Sequence, residues 1–437
     1  MSSAQSLSAE LRALQVASNE AWSEYGRNAR PNLHGLLRYP AMMVPRMQGD
    51  IIDTICNSRS EKCHVIDPFV GSGTVMNEAL LRGIDFTGVD INPLAVLVCE
   101  AKAAVDTGLD IGSAIEDVLA LIKSDNRKAI DVDFAGRQKW FDDPSAVKFS
   151  VLRRAIMTLA DAEVRKILWT VFAETIRLCS NSRTSTYKLH IRPPEDRVPA
   201  EKVLNVFETN LKGTQEKIKE YQMLMSGRGD HRPHAKLFCS DIRKASFELS
   251  KNAHQVVVTS PPYGDNQTTI PYGQFSYLAM NWIPKDDLPE GLTSQLLDST
   301  HALDTASLGG SLRGADAKEC EIRSKSESFD RFLEQAQGAD QQQAVRKVSC
   351  FMADFAEALC RIREMQSATA HWVLTTGNRT VSGMTVPFDA ICKELAIGLG
   401  GKPVETLYRN LPSKRMPSRN SQGAMITTET TTVLEFE

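Results

Sequence analysis

One segment constrains the fold of this 437-residue chain more than any other. Residues 63–66 form an apolar run that leads into Asp67–Thr74, a segment that turns through Gly71 and Gly73. Helical periodicity follows, and a second apolar run ends at Asp90. A strand, a glycine-rich turn, a helix and a second strand make up a βαβ unit, so the sequence predicts an α/β fold with a parallel sheet.

This α/β pattern is interrupted twice. Residues 103–230 have helical periodicity without a convincing strand, and residues 264–345 are rich in Ser, Gly, Asp and Gln. We therefore predict a core divided among residues 1–102, 231–263 and 346–437, with a helical insertion and an irregular, partly mobile insertion between them. Further strands are predicted at 236–239, 254–259, 371–376, 404–409 and 426–436. Helices are predicted at 8–25, 47–56, 73–82, 242–249, 347–367 and 386–397.

The glycine turn has the composition of a nucleotide-binding loop. Gly71 and Gly73 lack Cβ atoms, which lets a ligand approach the backbone, and the following helix N-terminus presents free N–H groups. Asp90 ends the next strand at the distance where an acid commonly binds ribose hydroxyls. Asp67 stands where a dinucleotide fingerprint has its first glycine, and a carboxylate there repels a pyrophosphate but attracts an ammonium group. The charge therefore favours S-adenosylmethionine over NAD.

Asp241 follows the strand predicted at 236–239. Two interpretations stay open for it. Its carboxylate can accept a hydrogen bond from the adenine amine of a cofactor, or it can cap the helix predicted at 242–249.

A second segment, Thr259-Ser-Pro-Pro-Tyr263, ends the apolar strand predicted at 254–259. The exocyclic amine of a base is a poor nucleophile because its lone pair is delocalised into the ring. Ser260 Oγ and the Pro261 carbonyl can accept its N–H bonds and free that lone pair, while the prolines stiffen the chain. Tyr263 offers a flat face for a flipped base. A rigid turn without chemistry is the alternative interpretation, and the upstream nucleotide site disfavours it.

Together the two segments resemble motifs I and IV of the DNA amino-methyltransferases. The resemblance covers residues 31–102, 232–263 and 346–437, and Arg38–Met42 resembles motif X at the methionine end of the cofactor. It implies a Rossmann-like S-adenosylmethionine-dependent methyltransferase with a seven-stranded, mostly parallel sheet and a reversed terminal strand. The predicted cofactor-binding residues are Tyr39, Pro40, Asp67, Pro68, Phe69, Gly71, Ser72, Gly73, Thr74, Asp90, Ile91 and Asp241. The predicted catalytic residues are Ser260, Pro261, Pro262 and Tyr263.

The resemblance implies direct methyl transfer to the amine of a flipped base in DNA. Serine before Pro-Pro-Tyr resembles the cytosine-N4 branch, whereas adenine-N6 enzymes more often carry Asp or Asn. The order of the two motifs is opposite to that of several cytosine-N4 enzymes, so the order does not identify the base. Adenine N6, guanine N2 of RNA and a non-catalytic DNA-binding module stay open. The chain has no Pro-Cys dipeptide, which disfavours ring-carbon methylation through a cysteine thiolate.

Charge limits how the chain can contact nucleic acid. The formal net charge is −3, so contacts with double-stranded DNA must come from local basic clusters. Basic and aromatic residues alternate in 177–197, and a basic loop precedes the last strand, although a solvated surface is the alternative interpretation. The predicted nucleic-acid-binding residues are Arg183, Lys188, Arg192, Tyr272, Lys414 and Arg415. A restriction or defence-system partner is a further expectation.

Other features argue against export, membranes and metal. The nine cysteines include no Cys-x-x-Cys pair and the N-terminus lacks a secretory signal, so we expect reduced thiols and a cytoplasmic protein. No apolar stretch approaches membrane-spanning length. His231, His234 and Cys239 lack a fourth ligand, so no metal site is predicted.

Overall fold

The computed structural model describes residues 3–23, 30–106, 109, 111–226, 232–250, 252–291, 293–336, 342–366, 369–411 and 426–437. Within them a seven-stranded sheet and a two-stranded hairpin form. The sheet strands are β1 (Cys63–Asp67), β2 (Asp85–Asp90), β3 (Ala235–Cys239), β4 (His254–Thr259), β5 (Ala370–Gly377), β8 (Lys402–Asn410) and β9 (Thr428–Phe436). The hairpin strands are β6 (Thr380–Val381) and β7 (Met384–Thr385).

The strand order in the sheet is β3-β2-β1-β4-β5-β9-β8. Strands β3, β2, β1, β4 and β5 pair in parallel, while β9 is antiparallel to both β5 and β8. This confirms the predicted mixed α/β, Rossmann-like sheet with one reversed strand, and the reversed strand is the last in the chain. The order changes direction between β1 and β4, and ligands of open α/β sheets bind at such a switch point, beyond the carboxyl ends of the strands.

Helices surround the sheet. They are α1 (Ser3–Trp22), α2 (Pro45–Asn57), α3 (Thr74–Leu80), α4 (Pro93–Asp106), α5 (Gly112–Ser124), α6 (Arg137–Trp140), α7 (Asp143–Met157), α8 (Ala162–Cys179), α9 (Lys202–Met225), α10 (Tyr272–Trp282), α11 (Ala302–Ala306), α12 (Ala315–Lys325), α13 (Glu327–Gln335), α14 (Gln342–Met365) and α15 (Phe388–Gly398). None of those in the described ranges is long and apolar enough to cross a bilayer. All nine cysteines lie in the described ranges, and each is free of a disulfide.

Alternate residues of the central strands face two different cores. Val256 and Val258 pack into the core that contains α1, α2 and α3, whereas Val257 packs into the core that contains α14 and α15. Every residue of β4 is buried, which explains why its centre, Val256–Val258, is a run of apolar residues rather than an alternating pattern.

The helical insertion has a core of its own. Phe141, Phe149, Phe172 and Trp282 form its aromatic centre, with ring centroids 5.2 Å apart for the first two. This core also takes in α4 and α10. The insertion is therefore packed directly onto α4, the helix that follows β2 and Asp90.

Two predictions about local structure are wrong. Residues 242–249, all of them described, form a turn at 242–244 and no helix. Arg243 in this turn pairs with Asp241 and with Asp354 of α14, and this tertiary pairing replaces a helical start. The segment 264–345 is not irregular, since it contains α10 to α13. Its polar composition concealed amphipathic helices such as α13, which buries Phe329, Phe332 and Leu333.

Candidate active site

A cleft opens beyond the carboxyl ends of β1 to β4. Its empty volume is about 900 Å³, which includes the part open to solvent, and falls in the usual range for small-molecule sites. The sequence-predicted residues in its wall are Tyr39, Pro40, Pro68, Phe69, Gly71, Ser72, Thr74, Asp90, Ile91, Asp241, Ser260, Pro262 and Tyr272. Of the other described residues assigned to the cofactor or to catalysis, Asp67, Gly73, Pro261 and Tyr263 lie outside this wall. The two motif segments thus meet at one cleft.

The glycine turn requires glycine at two positions. Gly71 and Gly73 have φ angles of 50° and 77°, in the left-handed region. A Cβ atom on Gly73 would lie 2.9 Å from Cys99 Sγ. Below the turn, the buried Lys102 donates from Nζ to the Ser72 carbonyl at 2.6 Å, and burial lowers the pKa of this lysine to about 8. The backbone of the turn is therefore held from beneath while its upper side faces the cleft.

Asp90 ties the glycine turn to the end of β2. Its Oδ2 accepts from Gly71 N at 2.8 Å, and its Oδ1 accepts from Asn92 N at 2.8 Å. Burial raises the pKa of Asp90 to about 6, against the opposing effect of these backbone N–H groups. Each carboxylate oxygen keeps a further lone pair for a donor in the cleft.

Asn92 was missed by the sequence interpretation. Its Nδ2 donates to Tyr39 OH at 2.9 Å and to Ser276 Oγ at 2.7 Å, so it joins the motif X segment to α10. Tyr272, at the start of α10, stacks on Tyr39 with ring centroids 5.7 Å apart. Tyr272 thus lines the cleft next to Tyr39 of the motif X segment.

Asp67 lies fully buried under the cleft. Its Oδ1 accepts from Thr259 Oγ1 at 2.6 Å and from Phe69 N at 3.1 Å. Its Oδ2 has no hydrogen-bond partner among the described residues. Burial raises the pKa of Asp67 to about 7, although the Thr259 and Phe69 hydrogen bonds oppose this rise.

The two ends of the Ser-Pro-Pro-Tyr segment face different surroundings. Ser260 lines the cleft, and its Oγ donates to Tyr263 OH at 3.2 Å. The Tyr263 ring lies over the end of β5, where a Cβ atom on Gly377 would be 2.7 Å from it. Its hydroxyl donates to Glu429 Oε1 at 3.3 Å, and burial raises the pKa of Tyr263 well above the ordinary value, with Glu429 adding to the rise.

Asp241 lies at the edge of the cleft with both carboxylate oxygens engaged by a guanidinium. Arg243 donates to Oδ1 from Nε at 3.0 Å and to Oδ2 from NH2 at 2.7 Å. The interpretation of Asp241 as a helix cap is wrong, because no helix follows. Its role toward an adenine amine stays a prediction.

Five of the six predicted nucleic-acid-binding residues fall into three groups, and the sixth, Tyr272, lines the cleft. The Arg192 guanidinium donates to the Ser182 and Leu178 carbonyls at 2.6 and 3.0 Å, so it holds its own loop together. Arg183 is exposed and Lys188 is half-buried in the same loop. Lys414 and Arg415 lie outside the described residues, as does His231.

This loop lies near the cleft. The rings of Tyr187 and Phe275 meet edge to face, with centroids 6.1 Å apart. The rings of Phe275 and Tyr39 meet in the same way, with centroids 5.4 Å apart. Arg183 and Lys188 are therefore carried by a loop that packs against the aromatic wall of the candidate active site.

Other residues at or near the cleft belong to no motif from which the sequence could have predicted them. Asn266 is 4% exposed and lines the cleft, and its Oδ1 has no partner within the described ranges. Leu303 and Leu308 reach the cleft from the second insertion. Glu429 is 166 positions from Tyr263, and nothing in the local sequence indicates that they meet. No group of three or more His, Cys, Asp or Glu side chains in the described part of the chain is arranged to hold a metal ion.

No protein-family model matches the chain. The chain is similar to the Type II methyltransferase M.MvaI of Kocuria varians, with 27% identity over 416 residues that cover 90% of this chain and 87% of that protein. This similarity supports a DNA methyltransferase. A shorter similarity links this methyltransferase-like chain to the Type II methyltransferase M.BsoBI of Geobacillus stearothermophilus, with 28% identity over 87 residues, 20% of this chain and 17% of that protein.

Proposed function

We propose that the chain is an S-adenosylmethionine-dependent DNA methyltransferase that acts on an exocyclic amine, with N4 of cytosine as its target. One observation carries the proposal. Thr259 Oγ1 donates to Asp67 Oδ1 at 2.6 Å, which joins two segments 192 positions apart at a single cleft. One segment has the features of a cofactor turn, and the other presents acceptors for an amine.

The cleft residues fit S-adenosylmethionine. Asp90 keeps lone pairs for ribose hydroxyls, and the left-handed Gly71 and Gly73 leave the turn open to a close ligand. The buried, unpartnered Oδ2 of Asp67 suits a cationic donor such as an ammonium group. When bound, the cofactor supplies an electrophilic methyl group on a sulfonium. The surrounding residues Tyr39, Pro40 and Ile91 exclude water from it.

The chain's own contribution to the transfer is to orient and activate the amine. Ser260 Oγ and the Pro261 carbonyl accept its two N–H bonds, so the nitrogen lone pair is directed away from the ring. After transfer the nitrogen carries one extra proton, which leaves to solvent. Serine rather than a carboxylate or amide at position 260 supports cytosine over adenine.

Double-stranded DNA is the proposed substrate. Arg183 and Lys188 lie on a loop that packs, through Tyr187 and Phe275, against the cleft wall, a position suited to phosphate contacts. The type II names of both relatives support a restriction partner for this chain.

Label transfer from S-adenosylmethionine to DNA or RNA tests the proposal. We expect labelled DNA from the wild-type protein and none above background from Ser260→Ala. Ser260→Ala and Tyr263→Ala should keep the wild-type affinity for S-adenosylhomocysteine. Asp90→Ala should instead weaken the binding of S-adenosylhomocysteine as its primary defect. Label in RNA alone, or Ser260→Ala with wild-type transfer, contradicts the proposal.

A further inference from the structure

A chain of hydrogen bonds leads from the cleft to the last strand of the sheet. Ser260 Oγ and Tyr263 OH are 3.2 Å apart, and Tyr263 OH and Glu429 Oε1 are 3.3 Å apart. Both separations are long for hydroxyl donors, as is common for such contacts before a substrate is bound. Glu429 lies at the start of β9, directly across from Gly377 of β5. The Tyr263 ring occupies the space that the absent side chain of Gly377 leaves.

The far end of this chain is a carboxylate that is held in place. Arg409 donates to Glu429 Oε2 from Nε at 3.0 Å and also from NH2. Arg409 is 6% exposed, and its NH1 donates to the Trp22 carbonyl at 3.3 Å, which anchors it to α1. A buried guanidinium on one oxygen of Glu429 leaves the other oxygen to face Tyr263.

The chemistry of these groups sets the direction of each hydrogen bond. An ionised carboxylate can only accept hydrogen bonds, so the Tyr263 hydroxyl donates its hydrogen bond to Glu429. The Tyr263 oxygen then accepts a hydrogen bond, which the Ser260 hydroxyl donates. The lone pairs of Ser260 Oγ are left to face the cleft.

We propose that Glu429 is a positioning residue that makes Ser260 a hydrogen-bond acceptor, by fixing the direction of the Ser260–Tyr263–Glu429 chain. The proposal rests on the proposed function, because an acceptor at Ser260 matters only when an amine N–H enters the cleft. It assigns the Tyr263 hydroxyl a role of its own, which is to transmit this direction, while the ring fills the space beside Gly377.

Glu429→Gln tests this direction directly. Arg409 requires an acceptor, so the glutamine must turn its amide oxygen toward Arg409 and its NH2 group toward Tyr263. Tyr263 OH then accepts from the glutamine and donates to Ser260, which reverses the chain. This takes one of the two lone pairs of Ser260 Oγ and turns the Ser260 O–H toward the cleft, where it opposes the N–H of an entering amine. We expect kcat for methyl transfer to DNA to fall by about 10- to 100-fold, with unchanged affinity for S-adenosylhomocysteine. This is less than the roughly 10²- to 10³-fold loss for complete removal of a transition-state hydrogen-bond partner, because the Ser260 hydroxyl is still present.

Tyr263→Phe provides the second variant. It keeps a ring over Gly377 and removes the hydroxyl, so the direction is no longer transmitted and kcat should fall at least tenfold. In the Tyr263→Phe background, Glu429→Gln should have no further effect on kcat, since residues that act as one unit are not additive. This variant also carries the test if Glu429→Gln does not fold.

Glu435→Gln is the matched control. Glu435 lies on the same strand and accepts from Arg59 NH2 at 2.5 Å, at the opposite end of β9. It should change the melting temperature as much as Glu429→Gln does and leave kcat unchanged. Wild-type kcat in Glu429→Gln or in Tyr263→Phe, or an equal further loss in the double variant, overturns the inference. Absence of transfer by the wild-type protein overturns the proposed function instead.

Discussion

Replacement of Asp90 by asparagine tests whether Asp90 binds the cofactor or only stabilises the glycine turn. In the structure, the two oxygens of Asp90 each accept one backbone N–H at 2.8 Å, from Gly71 and from Asn92. An asparagine side chain has one acceptor oxygen, so it can serve only one of these donors. Its NH2 group faces the other N–H, and the ribose hydroxyls lose a charged acceptor.

The size of the effect follows from these contacts. A hydrogen bond to a charged group contributes about 1.5–3 kcal/mol, and an unsatisfied buried N–H costs about 1–3 kcal/mol. Loss of one such bond to the bound ribose, with a turn that is no longer held at Gly71, gives about 3 kcal/mol. We therefore expect the affinity for S-adenosylhomocysteine to fall on the order of 10²-fold in Asp90→Asn.

Isothermal titration calorimetry measures this affinity without turnover. Asp85→Asn is the matched control, because Asp85 lies at the other end of β2 and accepts one backbone N–H, from His234 at 2.8 Å. An asparagine can replace that single acceptor, so the control should keep wild-type affinity. If Asp90→Asn lowered the melting temperature but bound S-adenosylhomocysteine as tightly as the wild type, Asp90 would be structural and the cofactor site would be misassigned.

Two further outcomes are expected. Gly377→Ala places a Cβ 2.7 Å from the Tyr263 ring, so it should cost about 1–3 kcal/mol of stability in urea unfolding and lower kcat in transfer assays. The control Gly398→Ala, at the end of α15 with nothing within 4 Å of the new Cβ, should leave kcat unchanged and should not lower stability, since alanine favours a helix over glycine. Burial raises the pKa of Asp67 to about 7, so the folded protein holds a proton between about pH 4 and 7 that the unfolded chain lacks, and stability should fall as pH rises through this range. Asp67→Asn should reduce that dependence to the part that Asp90 contributes, whose pKa burial raises to about 6, and an unchanged pH slope in urea unfolding would contradict the assignment.

Local patterns predicted the sheet and the glycine turn. The strand at 254–259 has the predicted bounds, and its centre, Val256–Val258, is buried on both faces and gives a short apolar run. Gly71 and Gly73 have left-handed angles, which fits the glycine turn predicted there. In these cases the information lies within a few residues of the chain.

The parts that sequence patterns missed depend on distant contacts. A helix after Asp241 is locally plausible, but Arg243 pairs with both Asp241 and Asp354 of α14, and this tertiary pairing replaces a helical start. Glu429 meets Tyr263 only because β9 pairs with β5. A cross-strand neighbour of this kind has no signature in either segment.

Identification of the methylated nucleoside tests the central claim most directly. The purified protein is incubated with labelled S-adenosylmethionine and DNA of varied sequence, and the DNA is digested to nucleosides and separated. We expect the label in N4-methylcytosine. Label in N6-methyladenine would contradict the assigned base, and no label in DNA, with wild-type affinity for S-adenosylhomocysteine intact, would contradict the methyltransferase itself.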